Sequence, residues 1–338
     1  MQALNKRVTV VDVARAAGVS PGTVSNALSG KRHVDADTRA RIETAISDLG
    51  YRPNLAARHM RTGQTNTIAI ISTMPAAVAA GSSKLGFMME IAASAAAAAM
   101  QRDTALILVP PIASAMDALR SMAMDGALVV EPETGDPVLA YLEGAGIPTV
   151  CIGGPEGTTG AVVELDYTTI ARLLIDHLRD AGAKCFPLIV GASPRPGNLA
   201  FKTAYREMCA RVGMEEKLVE VPEARAESGA ADAVTQLLRT GYRFDGILVP
   251  TDAMATGVMQ ALRAHNLDVP AQVKVATRYD GFRARTETPQ LTAVDLKLDA
   301  VAALATNYLL DVIADGTKGG RISCPEPSLI IRASSRQE

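Results

Sequence analysis

No apolar run in this 338-residue chain approaches the roughly 18 residues a membrane-spanning helix needs, although 48% of its residues are hydrophobic. The longest candidate, Ile91 to Met100, is alanine-rich and only as long as an ordinary helix of a soluble protein, so no membrane partner is expected. Cysteine is scarce. Cys151, Cys185, Cys209 and Cys324 lie far apart with no C-x-x-C pair, which argues against structural zinc and against a disulfide framework. His33, His59, His177 and His265 are scattered without metal-ligand spacing, and His177 reads as a helix-face histidine. Gly153-Gly154-Pro155-Glu156-Gly157 lacks the Gly-Lys-Ser/Thr of a phosphate loop and reads as a turn. Gly191-Ala192-Ser193-Pro194-Arg195 begins like a nucleophile elbow, but Arg195 stands where the last glycine belongs. Without a base, a nucleophile or a cofactor loop, the expectation is a protein with no cofactor and no metal that is not an enzyme. The opening Met1-Gln-Ala-Leu-Asn-Lys-Arg has no apolar segment or small-residue cleavage site, so cytoplasmic residence is expected.

What is present is unevenly distributed. The formal net charge is −2, yet residues 1–61 hold ten Lys/Arg and five Asp/Glu, a net of +5, which leaves −7 on the remainder. A basic head on an acidic body is the electrostatic footprint of a small nucleic-acid-binding domain joined to something with another task. The length points to two or three domains.

Val8 to Leu28 consists of two short apolar-periodic segments joined at Gly18-Val19-Ser20, the pattern of a helix-turn-helix or of a helical hairpin in a core. Gly18 supplies the turn, Ser20 caps the second helix, and Pro21 suits its first position because it has no N–H to leave unsatisfied. A polar loop follows, then a third helix opened by Asp35 or Asp37 and ended by Gly50. Val13, Ala14, Val19, Val24, Leu28, Ile42, Ile46 and Leu49 are expected to form its miniature core.

From Thr67 the pattern alternates between strands and helices. Strands are expected over 67–74, 105–109, 126–130, 149–152, 185–190, 218–221, 246–249, 273–277, 292–295 and 328–332. Helices are expected over 85–102, 116–124, 138–145, 168–181, 199–212, 229–240, 254–265 and 300–314. This is a doubly wound α/β body around parallel strands.

Thr9-x-x-Asp12-Val13-Ala14-x-x-Ala17-Gly18-Val19-Ser20-x-x-Thr23-Val24-Ser25, then Thr38-Arg39 and Leu49-Gly50-Tyr51-x-Pro53-Asn54-x-x-Ala57-Arg58, resembles the head and hinge of the LacI family of bacterial transcription regulators. Weaker matches run to the C-terminus: Asp125-Gly126, Gly146-Ile147-Pro148, Thr251-Asp252-x-Met254-Ala255-x-Gly257, Pro289-x-Leu291-Thr292 and Leu329-Ile330-x-Arg332-x-Ser334. The resemblance implies an all-α helix-turn-helix head over 1–50, a hinge with a hinge helix over 51–64, and an effector-binding and dimerising body over 65–338. The body would be periplasmic-binding-protein-like, two doubly wound lobes crossed by three strands. Its N lobe would hold about 65–165 and 296–323, and its C lobe about 166–295 and 324–338. The implied function is a repressor, working as a homodimer on a near-palindromic double-stranded operator and modulated by a small-molecule effector. The alternatives are an activator or a regulator without effector on the same fold and, from a different class, a doubly wound α/β enzyme with a helical head. The chain ends six residues after Arg332 without leucine heptads, so a dimer rather than a tetramer is expected.

By the resemblance, Pro21, Gly22, Ser25 and Asn26 fall where bases are read. Pro21 and Gly22 offer only shape and apolar contact, whereas Asn26 can pair with the N6 and N7 edge of adenine. Thr9, Ser20, Thr23, Lys31, Arg32 and Arg39 are placed for phosphates, as Ser25 also is. Ala57, Arg58 and Met60 fall on the hinge helix, with Met60 in place of the usual leucine as the minor-groove wedge. Met74, Phe87, Ile91, Gly153, Phe201, Thr251, Asp252, Tyr279 and Asp280 are implied around the effector cleft, Asp252 as ligand or as helix cap. Two departures stand out. Phe201 occupies the place of a family arginine, and Thr277-Arg278-Tyr279-Asp280-Gly281 replaces the Gly-Phe-Asp segment, with Arg278 able to restore the charge. Such a cleft suits a polyhydroxylated sugar less well than a smaller, partly apolar or anionic effector, or none.

Overall fold

The computed structural model describes residues 8–29, 32–51, 63–79, 86–110, 115–316 and 319–336. The chain divides into two compact units, 1–65 and 66–338.

The head is three helices, α1 (Val10–Ala17), α2 (Pro21–Ser29) and α3 (Ala36–Leu49). Each helix start is tied by a short polar side chain. Thr9 and Asp12 form a reciprocal capping box on α1, the Thr23 amide donates to Ser20 Oγ at 3.1 Å, and the Thr38 amide donates to Asp35 Oδ1 at 2.9 Å. Gly18 turns the chain at φ +64, a left-handed conformation that L side chains resist. Arg41, unremarked in the sequence, locks that turn from α3 by donating to the Ala17 carbonyl at 2.7 Å through Nη2. Val13, Ala14, Ala17, Val24, Ile42, Ala45 and Tyr51 make the core, with Val19 and Ile46 packed against it. Leu28 and Leu49 do not belong to that core as expected; they are 42% and 37% exposed. The three helices are too short to cover a large apolar centre, and small Ala17 and Ala45 with Tyr51 fill it.

The body contains two six-stranded sheets. The first is built from β1 (Thr67–Ile71), β2 (Ala105–Val109), β3 (Gly126–Val130), β4 (Thr149–Ile152) and β5 (Ala161–Glu164). The second takes β6 (Leu188–Gly191), β7 (Leu218–Val221), β8 (Gly246–Leu248), β9 (Lys274–Tyr279) and β10 (Thr292–Asp295). The chain then returns to add β11 (Arg321–Ser323) to the edge of the first sheet and crosses once more to place β12 (Ser328–Ile330) antiparallel to β10. The strand orders are β11-β5-β4-β3-β1-β2 and β12-β10-β9-β8-β6-β7. All pairings but β10 with β12 are parallel, so most strands are covered on both faces and read as continuous apolar runs; β3, for example, is buried throughout.

The long helices Phe87–Met100 and Leu298–Asp315 contribute to the main apolar cluster, together with β1, β3, β4 and β5 of the N lobe. Gly126 is where the second of them approaches the sheet most closely, since a Cβ there would lie 2.8 Å from Ile313 Cδ1. Five elements were not foreseen: β5, β11, the short helices Ala76–Ala79 and Phe282–Thr286, and the 3-10 turn Glu223–Arg225. Several expected bounds also move. The first strand stops at Ile71 rather than Met74, and the strand expected from Cys185 starts at Leu188, because Pro187 has no amide to donate to the ladder. No helix among the described residues is long and apolar enough to cross a membrane.

Candidate DNA-reading head and inter-lobe cleft

On the head, the capped turn presents α2 with Pro21 and Gly22 exposed and Ser25 and Asn26 half-buried on the same side, while Val24 faces the core. Ser20 and Thr23 share a hydroxyl contact of 2.8 Å at the start of this helix. Thr9 is exposed, but its hydroxyl already donates to Asp12 Oδ2 at 2.7 Å. Arg32 and Arg39 are exposed. Lys31, Ala57, Arg58 and Met60 lie outside the described residues. Thr38, through backbone and side-chain hydrogen bonds, holds the Asp35 carboxyl below its ordinary value.

Between the lobes, at the carboxyl ends of the strands, a cavity of about 30 Å³ remains. Met74, Phe87, Phe201, Thr251, Asp252 and Tyr279 of the expected set line it. Ile91, Gly153 and Asp280 do not. Ile91 is wholly buried in the core behind Phe87. Gly153, at φ +62, serves spacing: a Cβ there would sit 2.1 Å from the Tyr167 hydroxyl. Asp280 pairs with Arg332 Nη1 at 2.5 Å and so ties β9 to the last segment of the chain. Asp252 is the first residue of the helix Asp252–Ala264, with Thr251 at the cap position. One of its oxygens accepts from the Ala253 amide at 2.8 Å. The other, Oδ2, is buried without a hydrogen-bond partner and lies 3.8 Å from Arg283 Nε. Burial raises the Asp252 carboxyl above its ordinary value, against the opposing pull of Arg283 and Arg278.

The charged residues that dominate the cleft, Glu131, Arg195, Glu223 and Arg278, lie outside the set expected from the sequence. Glu131, the first residue beyond β3, is buried at φ +46. It accepts from Arg278 Nη1 at 2.8 Å, Arg278 Nη2 at 3.2 Å and the Tyr167 hydroxyl at 2.9 Å. Arg195, just ahead of the helix Pro196–Val212, donates to the Glu131 carbonyl at 2.5 Å and to Thr73 Oγ1 at 3.4 Å. It also pairs with Glu223 at 3.4 Å, a carboxylate held further by Ser193 at 2.6 Å and Asn198 at 2.8 Å. The Arg278 guanidinium lies over the rings of Phe87 and Tyr167, at 5.2 and 5.7 Å from their centroids. Burial alone would weaken its hold on the proton, but Glu131, with Tyr167 and Asp252, outweighs this and raises its pKa. Burial, reinforced by Glu131, likewise raises Tyr167 well above its ordinary value and keeps its hydroxyl a donor. At the rim, the Tyr279 hydroxyl donates to Glu90, with Arg285 3.7 Å from the same carboxylate. One signal could have found Glu131: an acid set directly after an unbroken buried strand, at the end where ligands bind.

The arrangement is a set of lobe-to-lobe polar bridges around a small, partly aromatic cavity, and no group in it is poised for bond chemistry. Residues 9–54 match the family model for bacterial regulatory proteins of the lacI family, and residues 175–335 match that for a periplasmic binding protein-like domain. The HTH-type transcriptional regulator CelR of Thermobifida fusca is 28% identical over 97% of this chain and 98% of its own length. The ribose operon repressor of Escherichia coli strain K12 is 28% identical over 91% and 94%. Among solved structures, a CelR–cellobiose complex superposes at TM-score 0.70 with 25% identity, covering 97% of this chain and 100% of that one. The lac repressor dimer bound to operator and the anti-inducer ONPF superposes at TM-score 0.80 with 22% identity, covering 98% and 99%. These relatives are transcription regulators, not enzymes. With its head and body each matched by the corresponding model, and regulators aligned along nearly all its length, this chain belongs to the LacI family of bacterial regulatory proteins.

Proposed function

We propose that this chain is a repressor that binds a near-palindromic operator as a homodimer, each head reading one half-site. The observation that carries the reading is the exposed start of α2, held by its Ser20 cap, with Asn26 one turn along the same side. Asn26 reads adenine, Pro21 and Gly22 contribute shape and apolar contact, and Ser25 adds a contact to base or phosphate. Thr9, Ser20, Thr23, Lys31, Arg32 and Arg39 hold phosphates. Ala57, Arg58 and Met60 form the minor-groove hinge, so part of the specificity comes from the deformability of the central base step. The protein works in the cytoplasm and sits on the nucleoid when bound.

The functional division is a head over 1–50, a hinge over 51–64 and an effector body from 65 onward, with the inter-lobe cleft as effector site. Met74, Phe87, Phe201, Thr251, Asp252 and Tyr279 face the effector; Ile91, Gly153 and Asp280 shape that wall from behind. A ligand with different affinity for the two lobe arrangements shifts their populations, and with them operator affinity. A regulator without effector is the second reading, favoured by how little space the bridged cleft retains.

The test is a gel shift of the purified protein against genomic fragments at physiological salt, followed by Asn26→Ala on the fragment selected. The variant is expected to relax specificity at one base pair per half-site and to cost about 1–3 kcal/mol there. Uniform weakening on all sequences would remove Asn26 from the reading set, and no selective binding at all would sink the regulator reading.

A further inference from the structure

The bridge between Glu131 and Arg278 has the geometry of a bound ligand whose ligand is part of the chain. A guanidinium, walled by two aromatic rings and presented by the C lobe, grips a planar carboxylate through two nitrogens. That carboxylate reaches it from the N lobe on a backbone held at φ +46, a conformation non-glycine residues rarely adopt. The small cavity beside it is lined by both residues. Two buried polar atoms of the site are left without a hydrogen-bond partner: Arg278 Nε, a donor, and Asp252 Oδ2, an acceptor.

A neutral polyol entering this cleft would have to leave the Glu131–Arg278 pair in place, in the space a sugar ring needs, or break it and strand the arginine. A ligand with its own carboxylate has neither difficulty. It can take the place of Glu131 on Arg278 while the Glu131 side chain swings out as the lobes part. A hydroxyl or ammonium beside that carboxylate would give the free Asp252 oxygen the donor it lacks.

Resting on the reading of the inter-lobe cleft as the effector site, we propose that the effector is a small carboxylate bearing a hydroxyl or amino group. It binds Arg278 in competition with Glu131, which serves as a tethered occupant of the site. Phe201 fits this assignment, because it fills part of the wall with an uncharged ring, and of the two arginines lining the cavity Arg195 is already held by Glu223 on its own lobe while Arg278 is held from across the cleft. Replacing one carboxylate by another keeps the arginine paired throughout but removes the buried side-chain bridge between the lobes, so binding weakens the lobe-to-lobe contact by one of its members.

Chemical rescue tests this directly. Glu131→Gly empties the site and suits the left-handed backbone, and the variant protein is titrated with glycerate against glycerol and with glucuronate against glucose. Binding is followed by melting temperature and calorimetry on the full chain. The expected result is a dose-dependent rise in melting temperature with a carboxylate but not with its neutral counterpart. Its dissociation constant should be at least tenfold lower than in wild type, and the effect should be absent from Glu131→Gly/Arg278→Met. If Glu131→Gly does not fold, the same comparison is made in Glu131→Gln, which keeps the side-chain shape and removes its charge. Equal responses to charged and neutral partners, no response to either, or a carboxylate response that survives loss of Arg278 would each overturn the proposal. A response to glucose or glycerol alone would do so while leaving the cleft as the effector site. Carboxylate binding that needs Arg278 but leaves operator affinity unchanged in a gel shift would uphold Arg278 as a carboxylate site and overturn its role, and that of the cleft, in regulation.

Discussion

The two walls of the cleft carry opposite charge. The N lobe contributes Glu90, Glu131 and Glu133, and the C lobe contributes Arg285, Arg278 and Arg195 as their respective partners. Each of these lobe-to-lobe ion pairs runs in the same sense, acid from the N lobe and arginine from the C lobe. The pairs differ in depth. Glu131 and Arg278 have side chains only 6% and 13% exposed, whereas Glu133 is one-third exposed and lies 3.9 Å from Arg195. Depth decides what a pair is worth, because water screens the shallow ones and the deep one cannot lose a partner without stranding a charge. The walls therefore attract each other along the whole cleft, and among these ion pairs the buried Glu131–Arg278 pair holds most of the sensitivity.

Arg278→Ala should break this asymmetry most severely. It leaves the buried Glu131 carboxylate without its counter-charge, held only by the Tyr167 hydroxyl, and is expected to cost about 3–5 kcal/mol, read as a fall in the urea midpoint of the body. The informative partner is Glu131→Met/Arg278→Met, which replaces both charges by apolar groups of similar length. It should recover to within about 1 kcal/mol of wild type or exceed it. If the single variant loses less than the double one, the bridge is not a paired buried charge in solution.

The bridge also marks the limit of what was legible beforehand. The bounds of β2, β3, β4 and β10 fall as expected, and for β3 and β4 the reason is that a strand covered on both faces reads as an apolar run and declares itself locally. β11, Arg-Ile-Ser at the sheet edge, has no such run and exists through its pairing with β5. Phe87, Phe201 and Tyr279 were placed at the cleft through the family resemblance. Glu131 and Arg278 are 147 residues apart, and only the juxtaposition of two separately folded sheets makes them partners. No local periodicity encodes that meeting. In the head, Ser20 and Asp35 were legible because an N-cap acts within three residues, while Leu28 and Leu49 misled because helical spacing says nothing of what stands opposite.

Smaller changes sharpen the comparison at the rim. Tyr279→Phe removes the hydroxyl that a buried C-lobe residue donates to Glu90, a charged acceptor about as exposed as Glu133, and should cost about 1.5 kcal/mol. Glu133→Gln should cost less, about 0–1 kcal/mol, since its long, partly solvated contact with Arg195 is of the surface kind. Both are read as shifts in denaturation midpoint in parallel with wild type. If Glu133→Gln exceeds Tyr279→Phe, depth is not what grades the wall-to-wall contacts.

Two acids stand on the basic wall, and they differ: Glu223 is paired with Arg195 on its own lobe and held by Ser193 and Asn198, whereas Asp252 keeps one oxygen without a hydrogen-bond partner. Thr251 has taken the cap position ahead of it, and the Ala253 amide uses only one of its oxygens. Burial raises its pKa in the folded protein above the unfolded value, so its ionised form opposes folding. The penalty is absent below the ordinary aspartate value of about 3.9 and sets in as pH rises through the folded value. Asp252→Asn keeps the acceptor for Ala253 and abolishes the titration. The unliganded variant should therefore gain stability over wild type at pH 7, by about 1 kcal/mol or less, and the gain should vanish toward pH 4. The measurement is the difference in urea midpoint between the two proteins at a series of pH values. A variant less stable at pH 7, with its deficit shrinking in acid, would mean that Arg283 and Arg278 more than compensate the ionised carboxylate. Asp252 would then belong to the lobe's own scaffolding rather than being held at a cost for a ligand to satisfy.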